Sequence, residues 1–411
     1  MQQSTQSYDQ EMVTKEFFAN PYPLFQRMRE QDPVYWSDYF GFWILTRYED
    51  VFNLTRNHSV FSSARRFHAM FDTLPEDVRK GLDLLYLHYS TGIIFSDPPN
   101  HTRIRGLVSR AFSARYIESM RPHVQSIVDD LLDAVQGKDG MEVIADLAYP
   151  LPARLICEIM GLPLEDRPKF RKWSDDIIAL QSTGRADAAK TEQGQRSLRD
   201  LRNYFADQVA DRRRHPGADV LSILVQANEQ GDRLSEPELV STSVTLLTAG
   251  QETTTSMISS GLLWLLRNPA QLQKLRENPS LVDSAVEEML RYEPPVARQH
   301  RITMEDIEIG GKSIKKGQIV SGMTGAANRD PNQFPDPDRF DITRRDNRHL
   351  SFGHGIHFCL GGPLARIEGQ VTFNTLLRRF PHIELATSQP QWRQDLTLRR
   401  LVALPVRFTK A

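Results

Sequence analysis

The stretch "SFGHGIHFCLGG", residues 351–362, sets Cys359 among four glycines and two histidines, and the chain has one other cysteine, Cys157. A free cysteine usually behaves as a small buried hydrophobe, a reading that leaves the glycines unexplained. A thiolate is a strong metal ligand, but a single one does not complete a tetrahedral zinc site. The chain also lacks the several cysteines that an iron–sulfur cluster requires. A planar macrocycle fills four iron positions and needs only one axial protein ligand. Glycines beside such a ligand let backbone lie close to the ring and turn N–H groups toward the sulfur.

Composition narrows the classes. The 411 residues carry 51 Lys and Arg against 52 Asp and Glu, with 40% hydrophobic content, as in an ordinary soluble protein. Near-zero net charge gives no general attraction to nucleic acid or to an anionic membrane. Apolar runs such as "LLWLL" at 262–266 fall far short of a membrane span. The polar start "MQQSTQSYDQEM" lacks the apolar core of a secretory signal. Two distant cysteines do not indicate a disulfide framework, and a reducing, cytoplasmic location is expected. No linker or repeat interrupts the chain, so one domain over 1–411 is expected.

Along the chain, "YPLFQRMREQ" reads as a short helix, while "PVYWSD" and "FWILTR" read as strands. From about 100 to 300 the pattern is largely helical, with apolar residues at helical spacing in "YIESMRPHVQSIVDDLLDAV". Strands return in "RITMEDIEIGGKSIKKGQIV" and in the tail "LTLRRLVALPVRFT". The expected fold is mainly α with small β-sheets collected toward the ends of the chain.

One helix stands out by length. Ser235 with Glu238 forms a capping-box pattern, Pro237 sits in the first turn, and the periodicity runs on to Arg267. Roughly 32 residues span about 48 Å, whereas a globule of this length has a radius of gyration near roughly 22 Å. The middle of such a helix must lie deep inside. That middle, "TAGQETTTS" at 248–256, holds no large apolar side chain. Gly250 costs about 1 kcal/mol relative to alanine in a helix interior, and burying Glu252 alone costs more. Ala249 and Thr253 share a face, and a small residue beside a hydroxyl leaves room for something flat or small.

The order Phe352, Gly355, His357, Cys359, Gly361 resembles the haem-ligand signature of the cytochrome P450 family. "AGQETT" at 249–254 resembles the family's oxygen-activating helix motif, and Glu288 with Arg291 resembles its Glu-x-x-Arg pair. "DPPNHTRIR" at 97–105 and "PPVAR" ending at Arg298 resemble its haem-propionate segments, and "NRDPNQFPDPDRFDITR" at 328–344 resembles the loop before the cysteine. The matches occur in the family's chain order from about residue 97 to 362.

The resemblance implies the cytochrome P450 fold, with haem b between the long central helix and the cysteine-ligand loop. It implies Cys359 as the axial thiolate on iron. It implies His101, Arg105, Arg298 and His357 around the propionates, with Ala249, Gly250, Phe352 and Gly361 also at the cofactor. Thr253 and Glu252 become the catalytic oxygen-activating pair: the hydroxyl would donate to the distal oxygen and hold a water, and the acid would relay protons. Glu288 and Arg291 become a buried structural pair bracing the loop before the cysteine, together with Arg344. The substrate segment, 62–95, offers Phe67, Met70, Phe71 and Leu85, with Val296 further on, as apolar lining, and Arg65 or Arg66 to meet a carboxylate; ordinary packing is the competing account.

The activity so implied is a monooxygenase that puts one atom of O2 into a C–H bond of a lipophilic substrate, a terpenoid, steroid, polyketide or fatty acid. The tail after Cys359 holds no flavin domain, so the resemblance implies the soluble bacterial type, expected as a monomer. NAD(P)H would act only indirectly, through a ferredoxin or flavodoxin and its reductase. Arg103, Arg110 and Arg115 are candidates for docking the acidic donor. A peroxide-dependent or non-hydroxylating haem-thiolate enzyme and a haem-based gas sensor remain alternatives; the acid–threonine pair argues against both.

Overall fold

The computed structural model describes residues 7–65, 71, 76, 79, 82–182, 188–227 and 233–409. They group into two compact units, each drawn from separated stretches of chain. The first takes residues up to Ser62, Ser256–Phe358 and His382–Phe408; the second takes Ser63–Thr255 and Cys359–Pro381. Helices dominate and the sheets are small.

In the first unit the strands are β1 (Val34–Ser37), β2 (Phe42–Leu45), β3 (Phe61–Ser62), β4 (Arg298–Thr303), β5 (Ile307–Ile309), β6 (Lys312–Ile314) and β7 (Ile319–Met323). Five of them form one sheet in the order β1-β2-β7-β4-β3, and β5 pairs with β6 in a hairpin. The aromatic and β-branched runs "VYWS" and "FWIL" supply β1 and β2, which pair antiparallel with Trp36 opposite Trp43. β2 then runs parallel to β7, Trp43 beside Val320. Val34, Leu45, Val51, Leu54, Phe61 and Val320 close an apolar cluster on this sheet. In the tail, the backbone pairs at Val296 with Leu398 and at Trp392 with Leu401, and a strand forms at Pro405–Thr409.

The helix Val282–Tyr292 carries the unit's central ion pair. Glu288 and Arg291 are both fully buried, and Arg291 is bidentate on the carboxylate, Nε to Oε2 at 2.7 Å and Nη2 to Oε1 at 2.8 Å. Its remaining hydrogens go to the carbonyls of Asn328 (2.9 Å), Pro337 (2.8 Å) and Arg339 (3.2 Å). Glu288 in turn accepts from the Asp341 N–H (2.8 Å), Asn347 (3.1 Å) and Arg344 (3.3 Å). One helix turn therefore holds residues 328–347 by six hydrogen bonds, three from the guanidinium and three to the carboxylate. The desolvation of both charges is offset because every strong donor and acceptor is used.

The second unit is a stack of helices. Arg167–Ser182 lies on Ala188–Arg214, where Asp176 accepts from Ser197 (2.6 Å) and Gln193 (2.9 Å). Arg121–Asp133 lies on Gly362–Arg379, tied by Arg121 to Gln370 (3.0 Å) and Arg379 to Asp129 (2.6 Å). The long helix runs Glu236–Arg267, and its stretch up to Thr255 belongs to this unit. At its start the Ser235 N–H donates to Glu238 Oε2 at 2.8 Å, the backward half of a capping box.

Glu288→Ala leaves Arg291 buried without its counter-charge, a loss of about 3–5 kcal/mol. Poor soluble yield and low haem content are expected, set against Glu118→Ala on an exposed pair, which should behave as wild type. Normal melting and haem content for Glu288→Ala would remove the bracing role.

Candidate functional site

Cys359 sits three residues before the helix Gly362–Arg379. Desolvation pushes its thiol up, while the N–H groups of Gly361 and Gly362 donate to the sulfur and Arg105 and Arg366 act on it as cations, all pulling it down. The sulfur thus stands near the positive end of a helix. Cys157 differs in kind. It is fully buried and its thiol is pushed up to about 12 by desolvation, so it stays protonated and inert.

The backbone before the sulfur explains two glycines. Gly353 and Gly355 have φ of +68° and +70°, and a Cβ on Gly355 would lie 2.8 Å from the Thr55 carbonyl oxygen. No other residue fits there without strain. A Cβ on Gly361 would meet nothing within 4 Å. That glycine is not demanded by its protein neighbours, and it keeps the surface beside the sulfur flat.

The helix Asn100–Ala111 places His101 and Arg105 one turn apart, His101 buried and Arg105 half-buried. Burial lowers the Arg105 pKa, and Cys359 raises it, the same attraction seen from the other side. Arg103, on the same helix, is engaged with Glu238, with Asn100 at 2.6 Å and with the Arg233 carbonyl at 3.2 Å. Its charge is compensated internally, which removes it from the candidate docking residues. Arg110 and Arg115 are exposed, and the helix Ala114–Ser119 carrying Arg115 packs on Gly362–Arg379.

In the long helix Leu247, Gln251, Glu252 and Thr254 are buried, yet Ala249 between them is exposed and Thr248, Gly250 and Thr253 are half-exposed. On the opposite side, Gln251 receives the Tyr149 hydroxyl at 3.4 Å, and Arg171 covers that ring at 4.2 Å. Gly250 lies over Ile156 of the helix Pro150–Ile159, where a Cβ would make ordinary contact at 3.5 Å. The Thr253 hydroxyl donates to the Ala249 carbonyl at 2.8 Å. Its hydrogen is thus committed to the helix, and its oxygen presents lone pairs to the open face. As placed, Thr253 accepts; the donor role expected from the sequence requires breaking that bond.

Of the remaining sequence candidates, Arg298 is buried in β4 opposite Met323, its guanidinium 5.7 Å from the Phe42 ring. His357 ends the one-turn 3-10 helix Gly355–His357, and Phe352 lies between the rings of His349 (5.8 Å) and Phe358 (6.3 Å). These three belong to the first unit, the Cys359 group to the second. The Phe71 ring lies 4.7 Å from the Tyr86 ring, tilted by 42°, and Leu85 is buried. Val296 is half-buried in its bridge to Leu398. Phe67, Met70 and Arg66 lie outside the described residues; Arg65 is exposed.

The structure adds Glu368, which sequence reading passed over. It is buried 3% exposed in Gly362–Arg379, and its Oε2 receives the Thr254 hydroxyl at 3.5 Å. Desolvation pushes this carboxyl up to about 8, with only the Thr254 contact pulling the other way. The signal was present: Leu364, Glu368, Val371, Thr372 and Thr375 form one buried stripe, and the acid interrupts it. The structure thus sets a buried, neutral acid against Thr254, the residue next to Thr253.

The donor set fits an iron macrocycle with carboxylate arms: one thiol braced by two N–H groups, cations beside it, and a small-residue helix face left open. The cytochrome P450 family model matches residues 44–408. The chain is 40% identical to Cytochrome P450 CYP107DY1 of Priestia megaterium, over 96% of this chain and 99% of that one. It is 38% identical to 6-deoxyerythronolide B hydroxylase of Saccharopolyspora erythraea, over 97% and 98% respectively. A crystal structure of the myxobacterial CYP267B1 in complex with myristic acid aligns at a TM-score of 0.88 with 42% identity, covering 98% of this chain and 99% of that one.

Glu368 makes stability pH-dependent. Its folded pKa of about 8 lies above the unfolded value, so folding takes up a proton between roughly pH 4.5 and 8 and stability falls across that window as pH rises. Glu368→Gln cannot ionise. Its melting temperature should match wild type near pH 5 and exceed it by roughly 5 °C at pH 8.5. Parallel curves for the two proteins across this range would show that the carboxyl titrates normally.

Proposed function

The chain belongs to the cytochrome P450 family, and we propose that it inserts one atom of O2 into a C–H bond of a lipophilic organic substrate. It is a haem monooxygenase. The electrons come from NAD(P)H through a ferredoxin or flavodoxin and its reductase, with Arg110 and Arg115 offering charge for an acidic donor. It works in the cytoplasm, where both thiols stay reduced. When bound, haem b supplies the iron chemistry that activates O2.

The protein's part begins with Cys359, whose thiol is pushed up by burial while the N–H groups of Gly361 and Gly362 and the cations Arg105 and Arg366 pull it back toward the anion. Arg105 and His101, and with them Arg298 and His357, are the residues to receive the haem carboxylates. Thr253 offers its oxygen as acceptor at the open helix face and can hold a proton-bearing partner there, its own hydrogen anchored on Ala249. Glu252, buried one residue earlier, is the acid–base group that passes protons to that face. The myristic acid held by CYP267B1 supports a long-chain lipophile as the substrate. The observation that carries the proposal is the sulfur of Cys359, held by two N–H groups and two cations.

Three measurements check it. Reduced enzyme with CO should show the strongly red-shifted Soret band of thiolate ligation; Cys359→His should lose it and Cys157→Ala should keep it, and the reverse pattern would refute the assignment. Thr253→Ala should keep substrate binding and NAD(P)H consumption while product per NAD(P)H falls several-fold and hydrogen peroxide rises. Glu252→Gln should instead slow NAD(P)H consumption itself by about 10²-fold or more, as loss of an acid–base group does. Unchanged rate and coupling in both variants would leave this pair without a role in oxygen activation.

A further inference from the structure

Arg202, on the helix Ala188–Arg214, is 7% exposed and has no carboxylate within ion-pair distance among the described residues. Its Nη1 donates to Ser241 Oγ at 2.7 Å and faces His88 Nδ1 at 3.4 Å. His88, from the helix Asp83–Thr91, is 6% exposed. Ser241 in turn shares a hydrogen with Thr91 Oγ1 at 2.7 Å. Three helices thus converge on one guanidinium with neutral groups only. Burial and the Arg202 charge pull the His88 pKa down to about 3, so the ring stays neutral and leaves the cation uncompensated. Guanidinium does not escape by losing its proton. A buried charge kept without a counter-charge calls for an anion that arrives from outside.

The long helix shows where the rest of that anion lies. Ser241, Thr245, Thr248 and Glu252 follow one another up one side of it, three or four residues apart. Thr245 and Thr248 turn their hydrogens back to the Ser241 and Val244 carbonyls at 2.8 Å and 2.9 Å, so they show this side little polarity. The stripe ends beside exposed Ala249 and half-exposed Thr253. From Ser241 to Ala249 and Thr253 the helix rises about 12 and 18 Å.

We propose that Arg202, with Ser241 and His88, binds the carboxylate of a long-chain acid whose hydrocarbon runs along this helix side to Ala249 and Thr253. The inference rests on the monooxygenase reading above and names its substrate class. An extended chain advances about 1.2 Å per bond. Oxidation therefore falls roughly 10–15 bonds from the carboxylate, at about C11–C16.

The test uses haem-loaded enzyme titrated with hexadecanoic acid and with its methyl ester, read by the haem spin-state change and by calorimetry. Unaltered enzyme should bind the acid at least about tenfold more tightly than the ester, and Arg202→Gln should abolish that preference while Arg202→Lys keeps part of it. Products from the acid should carry oxygen at about C11–C16. Equal binding of acid and ester by the unaltered enzyme, or an undiminished preference in Arg202→Gln, overturns the site. Should Arg202→Gln fail to fold, the acid-to-ester ratio of the unaltered enzyme still decides. Hydroxylation of uncharged lipophiles without any acid preference sinks this inference and spares the monooxygenase; absence of O2-derived product from every lipophile sinks the monooxygenase reading itself.

Discussion

The Cys359 sulfur is desolvated, which favours the thiol, and it receives two N–H groups and faces two cations, which favour the thiolate. Only the second set suits it to the proposed role of metal ligand, and each member has a structural source. The N–H groups exist because the helix Gly362–Arg379 begins there and its first donors have no intrahelical partner. That helix is fixed by Arg121 on Gln370, Gln125 on Thr375 and Arg379 on Asp129. Arg105 is placed by the helix Asn100–Ala111, one turn after His101. A shift of any of these changes the sulfur's acidity before it changes anything else.

How much of this was legible in sequence depends on whether a feature is local. The long helix announced itself by periodicity and a capping pattern, and its limits, Glu236–Arg267, follow from Ser235 and the break before Pro269. The strands "VYWS" and "FWIL" were readable from residue type, but the parallel pairing of β2 with β7 joins positions some 280 residues apart and has no local trace. The cysteine signature fixed Cys359 yet gave no sign that the Thr253 hydrogen returns to Ala249, because a backbone carbonyl is available to any helical threonine. Arg103 shows the opposite failure. Its charge suggested a docking surface, and the partner that neutralises it, Glu238, is far off in sequence.

Charges inside this protein meet burial in three different ways, and the difference separates scaffold from site. Glu288 and Arg291 neutralise one another and spend their remaining hydrogen bonds on the 328–347 segment, so nothing is left over for chemistry. Glu368 has no cation among the described residues and answers desolvation by keeping its proton up to about pH 8, which makes it a neutral acid. Arg202 has neither remedy. Its guanidinium holds its charge at any physiological pH, its hydrogen-bonding neighbours are a serine and a neutral histidine, and among the described residues no carboxylate pairs with it. The first arrangement is complete and the second stores a proton. The third is finished only when an anion is bound, and for that reason it carries information about the substrate that Thr253 and Glu252, whose proposed part in oxygen activation serves any C–H bond, do not.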